Sequence, residues 1–158
     1  MIYCKKIVIS QKNIVLQLFP AVALIVGRLF MEESKRKIIL EYDMKSTPVL
    51  LLWNYVSTAN GLSEWFADNV VLNHKDCVFT WNGVSQRATM LGSRLGIYMK
   101  FRWEGDCVGS FFEFRITVNE LTDATVLQVT DYVERGDEQD AIDLWNSQIE
   151  IFRRRIGC

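Results

Sequence analysis

Apolar and polar positions alternate along most of the chain from residue 37 to residue 133, and a helical period interrupts that alternation once. Over residues 37–45, Ile38, Leu40, Tyr42 and Met44 alternate with Glu41 and Asp43, the two-residue period of a strand with one buried face. Ser46-Thr47-Pro48 then offers a hydroxyl cap and a proline suited to the first helical position. Val49, Leu52, Trp53 and Val56 fall at i, i+3, i+4 and i+7, so they share one face of the helix that follows. Asn60-Gly61 is expected to break it, and residues 62–66 to add one short turn of helix that aims Trp65 and Phe66 inward.

The middle of the chain reads as a meander. Cys77, Phe79 and Trp81 alternate with Val78 and Thr80, and Asn82-Gly83 is the signature of a type I′ hairpin turn. A return strand over residues 84–91 leads to a turn at 92–96. Met99, Phe101 and Trp103 then alternate with Tyr98, Lys100 and Arg102; Phe112, Phe114, Ile116 and Val118 alternate with Glu113, Arg115 and Thr117. A last strand is expected over residues 124–133.

A long helix closes the chain. Asp137, Glu138 and Asp140 at its start and Arg153, Arg154 and Arg155 at its end complement the helix dipole, and Gly157 suits a left-handed cap. Ala141, Trp145, Gln148, Ile149, Phe152 and Ile156 form its buried stripe. The order of strand, two short helices, several antiparallel strands and a long helix predicts an α+β fold and excludes a doubly wound parallel sheet.

At 158 residues the chain is sized for one domain. Residues 31–158 carry the regular pattern, whereas residues 1–30 stand apart: they hold Lys5, Lys6, Lys12 and Arg28 and no acid, and their apolar run is interrupted by Gln17, Pro20 and Arg28. An upstream extension outside the native domain is the expectation; a weak targeting segment and an integrated helix are the alternatives, and the run is short and broken for a membrane span. All 19 acidic residues fall in 31–158 against 14 basic ones, so the body is acidic overall and nucleic acid is not an expected partner. Cys4, Cys77, Cys107 and Cys158 are scattered and His74 is the sole histidine, so no metal site is expected. Scattered thiols in a chain able to build its own core fit a reducing, cytoplasmic compartment.

The residues Lys45-Ser-Thr-Pro48, Leu52-Trp53, Gly61-Leu-Ser-Glu-Trp-Phe-Ala-Asp68, Phe111-Phe-Glu-Phe114 and Asp143-Leu-Trp-Asn-Ser147 resemble the START-like (SRPBCC) helix-grip superfamily. Within it the chain is similar to the branch of homologues of the activator of the heat-shock protein 90 ATPase. The resemblance implies a strongly curved antiparallel sheet of about six or seven strands wrapped around the C-terminal helix, with two short helices after the first strand and a cavity between sheet and helix. The superfamily includes lipid binders, hormone receptors, cyclases and chaperone regulators, so fold alone does not fix the role.

Aromatic residues are the leading functional candidates, because small-molecule sites are concave, mostly apolar and aromatic-walled. Trp65, Phe66, Phe101, Phe112, Trp145 and Ile149 are expected to line the cavity, with Trp53, Trp81, Met99 and Phe114 completing the ligand-binding set. The plain alternative is that these rings are core. Trp65 and Phe66, at a helix-loop junction, are expected as a lid, and Trp81 and Trp103, near strand ends, close to a mouth where their N–H groups find partners.

No catalytic motif is present, and a non-enzymatic protein without cofactor is expected. His74 lies in a polar turn, and Glu113, Arg115, Lys100 and Arg102 read as charge pairs on a convex, solvated face. The expected function is binding of a hydrophobic or amphipathic, lipid-like molecule. The alternative is a module that regulates a heat-shock chaperone or another protein by surface contact. A helix-grip cyclase or hydrolase would require Glu113, Arg102, Asp131 or His74 to face the cavity.

Overall fold

The computed structural model describes residues 35–158. Seven antiparallel strands form one open sheet, β1 (Lys35–Asp43), β2 (Asn69–Asn73), β3 (Asp76–Trp81), β4 (Val84–Arg94), β5 (Tyr98–Trp103), β6 (Phe112–Val118) and β7 (Thr125–Glu134). Their spatial order is β1-β7-β6-β5-β4-β3-β2, so all neighbours but β1 and β7 are sequential hairpins. Two short helices, α1 (Val49–Ser57) and α2 (Ala59–Ser63), follow β1, and α3 (Glu138–Ile156) ends the chain. This is the α+β architecture read from the sequence. The expectation for residues 1–30 lies outside the described residues.

Register decides which side chains face α3. Phe101 opposes Phe112, Met99 opposes Phe114, Ile116 opposes Leu127, and Leu40 opposes Val129. Because paired residues point the same way, these apolar rows form one inner face, and all but the half-buried Leu40 are buried. The bulge between Met90 and Gly92 puts one extra residue into β4 and so bends the sheet at its centre. The Asn82-Gly83 hairpin is as expected: both residues have positive φ, 49° and 78°, the requirement of a type I′ turn.

Three local expectations are corrected, and one strand was not expected. The hydroxyl cap before α1 does not form: Pro48 occupies the cap position, and the Thr47 hydroxyl donates instead to the Met44 carbonyl at 2.6 Å. The first helix ends at Ser57, before Asn60-Gly61. Thr58 adopts an extended backbone, and its side chain accepts from the Gly61 N–H at 2.9 Å, so Asn60 and Gly61 lie inside α2 and Trp65 and Phe66 follow it. Strand β4 continues to Arg94, because the bulge absorbs Leu91 and lets Gly92 pair with Lys100. Residues 69–73, which have no clean alternation at their polar ends, form β2 by pairing with β3 through a two-residue turn at His74-Lys75.

Helix α3 forms as read, although Ala141 and Ile156 of its expected buried stripe are only half-buried. Trp145, Gln148, Ile149 and Phe152 are buried, and Gly157 caps the end at φ 77° with its N–H on the Arg153 carbonyl. At the other end the Glu138 carboxylate accepts from the Gly136 N–H at 2.7 Å. A bond from its own N–H and, next, the one from Gly136 hold the Glu138 carboxyl below its ordinary range. Tyr42 donates to Asn146 and Arg153 to the Asp43 carbonyl, each at 2.9 Å, so α3 is fastened to β1 along one flank. Arg155 donates to the Glu64 carbonyl at 3.1 Å and fastens the opposite flank.

Candidate functional site

Three tiers of rings stack between sheet and helix. On the sheet, Phe101 and Trp103 lie parallel to Phe112 at 5.0 and 4.5 Å, while Phe79 and Phe114 meet it edge-on or tilted. On the helix, Trp145 and Phe152 project two turns apart. Between them lies the pair from the α2–β2 connection: Trp65 stacks on Phe152 at 4.5 Å and Phe66 on Trp145 at 5.8 Å. From the other side Phe114 meets both, at 5.4 Å from Trp65 and 5.5 Å from Phe66.

The pair is held by its own polar handles and those of its neighbours. Trp65 Nε1 donates to the Tyr55 carbonyl at 3.1 Å, tying the ring to α1. Trp81 Nε1 donates to the Phe66 carbonyl at 2.7 Å, and its ring meets Phe66 edge-on. Each indole therefore satisfies its donor on backbone while the ring stays in the apolar layer. Trp81 is half-buried, whereas Trp103 is 8% exposed.

Of the residues expected to line a cavity, Trp65, Phe66, Phe101, Phe112, Phe114 and Trp145 come together in this ring system, with Met99 and Ile149 buried in the same core. Trp81 edges it. Trp53 does not join: it is half-buried on α1, packs against the core from outside, and makes no ring contact among the described residues. Trp65 and Phe66 lie over the concave face where a lid was expected, but α3 covers them in turn, so their rings occupy the space between helix and sheet. Phe79 and Phe152 belong to the ring system and were not among the expected site residues; both sit on the buried period of their elements.

Two polar groups face this apolar layer. Asp131 is on the inner face of β7, opposite Ile38, and is buried. Its carboxylate accepts from Trp145 Nε1 at 3.0 Å and from the Tyr132 N–H at 2.8 Å. Gln148 is 8% exposed and its Oε1 has no hydrogen-bond partner among the described residues. It lies on the buried face of α3, three residues from Trp145 and four from Phe152, the two rings that stack on Phe66 and Trp65. The sequence placed Gln148 in the buried stripe; nothing in its spacing marked an unpaired amide.

The other ionisable candidates face away. Glu113 is buried on the outer face, where it accepts from Arg115 at 2.9 Å; Arg102 donates to the Val108 carbonyl at 3.2 Å; His74 is exposed at φ 53° in its turn. Of the four, only Asp131 faces inward, toward the ring-filled space between sheet and α3. Burial pushes the Cys77 thiol above its ordinary pKa, so it is not an activated nucleophile. Among the described residues no group of His, Cys, Asp and Glu could hold a metal ion, and no helix is long and apolar enough to cross a membrane. A separate polar recess of about 360 Å³, lined by Asp43, Lys45, Glu150, Arg153 and Cys158, opens beside the end of α3.

This architecture has known counterparts. Residues 31–158 match the START-like superfamily domain. The chain belongs to the START-like superfamily. A Bacteroides fragilis protein solved by solution NMR is 36% identical, covering 77% of this chain and 91% of that one, with a TM-score of 0.56. The Aha1 dimer from Colwellia psychrerythraea shares the fold at 13% identity, covering 77% and 96% of the two chains, with a TM-score of 0.64. A Bacillus halodurans protein does so at 17% identity, covering 78% and 99%, with a TM-score of 0.62. No protein of curated function matches the chain. START-like proteins commonly bind hydrophobic ligands, and the resemblance drawn from Trp65, Phe66 and the strand order thus reaches the correct superfamily.

Proposed function

We propose that this protein binds an amphipathic small molecule between its sheet and α3, as a carrier or sensor without catalytic turnover. The observation that carries the reading is the unpartnered Gln148 amide oxygen beside the Trp145 and Phe152 rings. A buried acceptor left without a donor costs about 1–3 kcal/mol, which a ligand hydroxyl or amide N–H would recover. The ligand's apolar body would take the place of Trp65 and Phe66 against Phe112 and Phe114, and the extended Thr58 between α1 and α2 is the point about which that segment would swing. Phe101, Met99 and Ile149 would back the site, with Trp53 and Trp81 at its edge. The compartment that suits its free thiols is the cytoplasm.

Native mass spectrometry of the full chain, together with tryptophan emission across a fatty-acid and isoprenoid panel, tests this. A retained mass, or an emission change abolished by Gln148→Met, is expected. A bare protein with no response to the panel overturns the reading.

A second reading, a protein-interaction module that regulates a heat-shock chaperone, draws on the ring-filled space under α3 and on the fold shared with the Aha1 dimer. Pull-down with heat-shock protein 90 from the same organism is its test, and enrichment without any bound small molecule would favour it.

A further inference from the structure

The outer face of the sheet carries a charge opposite to that of the rest of the body. Strands β4, β5 and β6 hold five basic residues, Arg87, Arg94, Lys100, Arg102 and Arg115, and one acidic residue, Glu113. The remaining described residues hold nine basic and sixteen acidic ones. Register puts all five cations on the convex side. Lys100 opposes Glu113 and Gly92, Arg102 opposes Thr89, and Arg94 and Arg115 flank Tyr98 from either side. Their inward neighbours, Met99, Phe101, Trp103, Phe112 and Phe114, are the buried rings and Met of the inner face.

Several of these cations are held in place. Arg115 is paired with buried Glu113 and lies 5.0 Å above the Tyr98 ring; Lys100 Nζ sits 3.5 Å from the Phe111 ring centre. Arg87 and Arg94 are exposed and make no ion pair among the described residues. Gly92, opposite Lys100, leaves the centre of the strip without a side chain, and a Cβ there would lie 3.4 Å from the Tyr98 hydroxyl. Arginine and tyrosine are the residues enriched at protein-binding surfaces.

We propose that the convex face of β4, β5 and β6 docks an acidic polypeptide segment. Guanidinium groups pair with carboxylates through two parallel N–H bonds, which suits discrete acidic side chains. Immobilised cations lose little freedom when they engage a partner. A nucleic acid or an anionic bilayer extends well beyond the strip and would meet the acidic remainder of the body, whereas a short segment stays within it. The proposal does not rest on the ligand reading, because it concerns the opposite face of the sheet.

Fluorescence anisotropy of a short labelled oligoglutamate, titrated with the full chain at low salt, tests it. Saturable binding is expected, weakened about tenfold or more in Arg87→Glu/Arg94→Glu and in physiological salt. Arg102→Gln serves as a milder second variant, and Arg154→Glu, on the exposed end of α3, is expected to bind like the native chain. Tryptophan emission and the thermal midpoint establish that each variant is folded. Absence of binding, or binding equal in the charge-reversed variant, overturns the proposal. So does tighter binding of an oligodeoxynucleotide or of phosphatidylserine vesicles, which would assign the face to another class of partner.

Discussion

The indole of Trp145 on α3 donates to the carboxylate of Asp131 on β7 across 3.0 Å, within a mostly apolar layer of rings and aliphatic side chains. The bond fixes the rotation of α3 over the sheet, because Trp145 also stacks on Phe66. Asp131→Ala leaves both the indole and the Tyr132 N–H without this acceptor. A buried donor left unsatisfied costs about 1–3 kcal/mol, so with two donors affected a loss of about 3 kcal/mol is expected. Urea denaturation of the two proteins measures it. A loss below about 1 kcal/mol would mean that solvent reaches the indole and that α3 is not locked there.

Gln148 gives the opposite sign. Gln148→Met keeps the length of the side chain and removes the orphaned oxygen, so stability is expected to stay level or rise by about 1 kcal/mol. Ligand response is expected to fall in the same variant. Loss of stability and of ligand response together would instead show that Gln148 is an ordinary packing residue.

The strand periods, the Asn82-Gly83 turn and the α3 stripe were legible in the sequence because each is local: side-chain alternation and cap chemistry determine them. What was not legible depends on partners distant in the chain. Asn69–Asn73 becomes a strand only through β3, and β4 outlasts its expected end because of the bulge at Met90/Gly92. The aromatic set was nameable from spacing, yet that Trp65 and Phe66 fill the grip depends on Phe152 and Trp145 arriving from the far end of the chain. The orphaned Gln148 oxygen and the Asp131–Trp145 bond are tertiary facts with no local signature.

Gly61 carries the placement of the Trp65–Phe66 pair. A Cβ at this position would lie 2.3 Å from the Asn54 carbonyl oxygen and 2.6 Å from Tyr55 Cα, both backbone atoms that cannot turn aside. Gly61→Ala must therefore push α2 away from α1 and strain the Trp65 bond to the Tyr55 carbonyl. Overpacking of this kind costs about 3 kcal/mol, and a corresponding drop in thermal midpoint with a red-shifted tryptophan emission is expected. An unchanged midpoint would show that the α1–α2 junction is loose in solution.

Tyr42 supplies a pH dependence whose sign follows from its surroundings. Burial pushes its phenol from 10.0 up to about 12, with Arg153 opposing in part. Below pH 10 the phenol is protonated in both folded and unfolded chains, so its contribution is complete there. Between pH 10 and about 12 the unfolded chain ionises first, and stability is lost as pH rises through that window. The group is partly exposed, so solvent screening reduces the effect to about 1 kcal/mol. Tyr42→Phe removes both the titration and the 2.9 Å bond to Asn146, at a cost of about 1 kcal/mol at pH 8. The stability difference between the two proteins is therefore expected to shrink toward zero near pH 11.5, within the window set by the raised phenol pKa. Denaturation curves at the two pH values measure this. A difference that stays constant would show that the Tyr42 hydroxyl is solvated and that the β1–α3 flank is open.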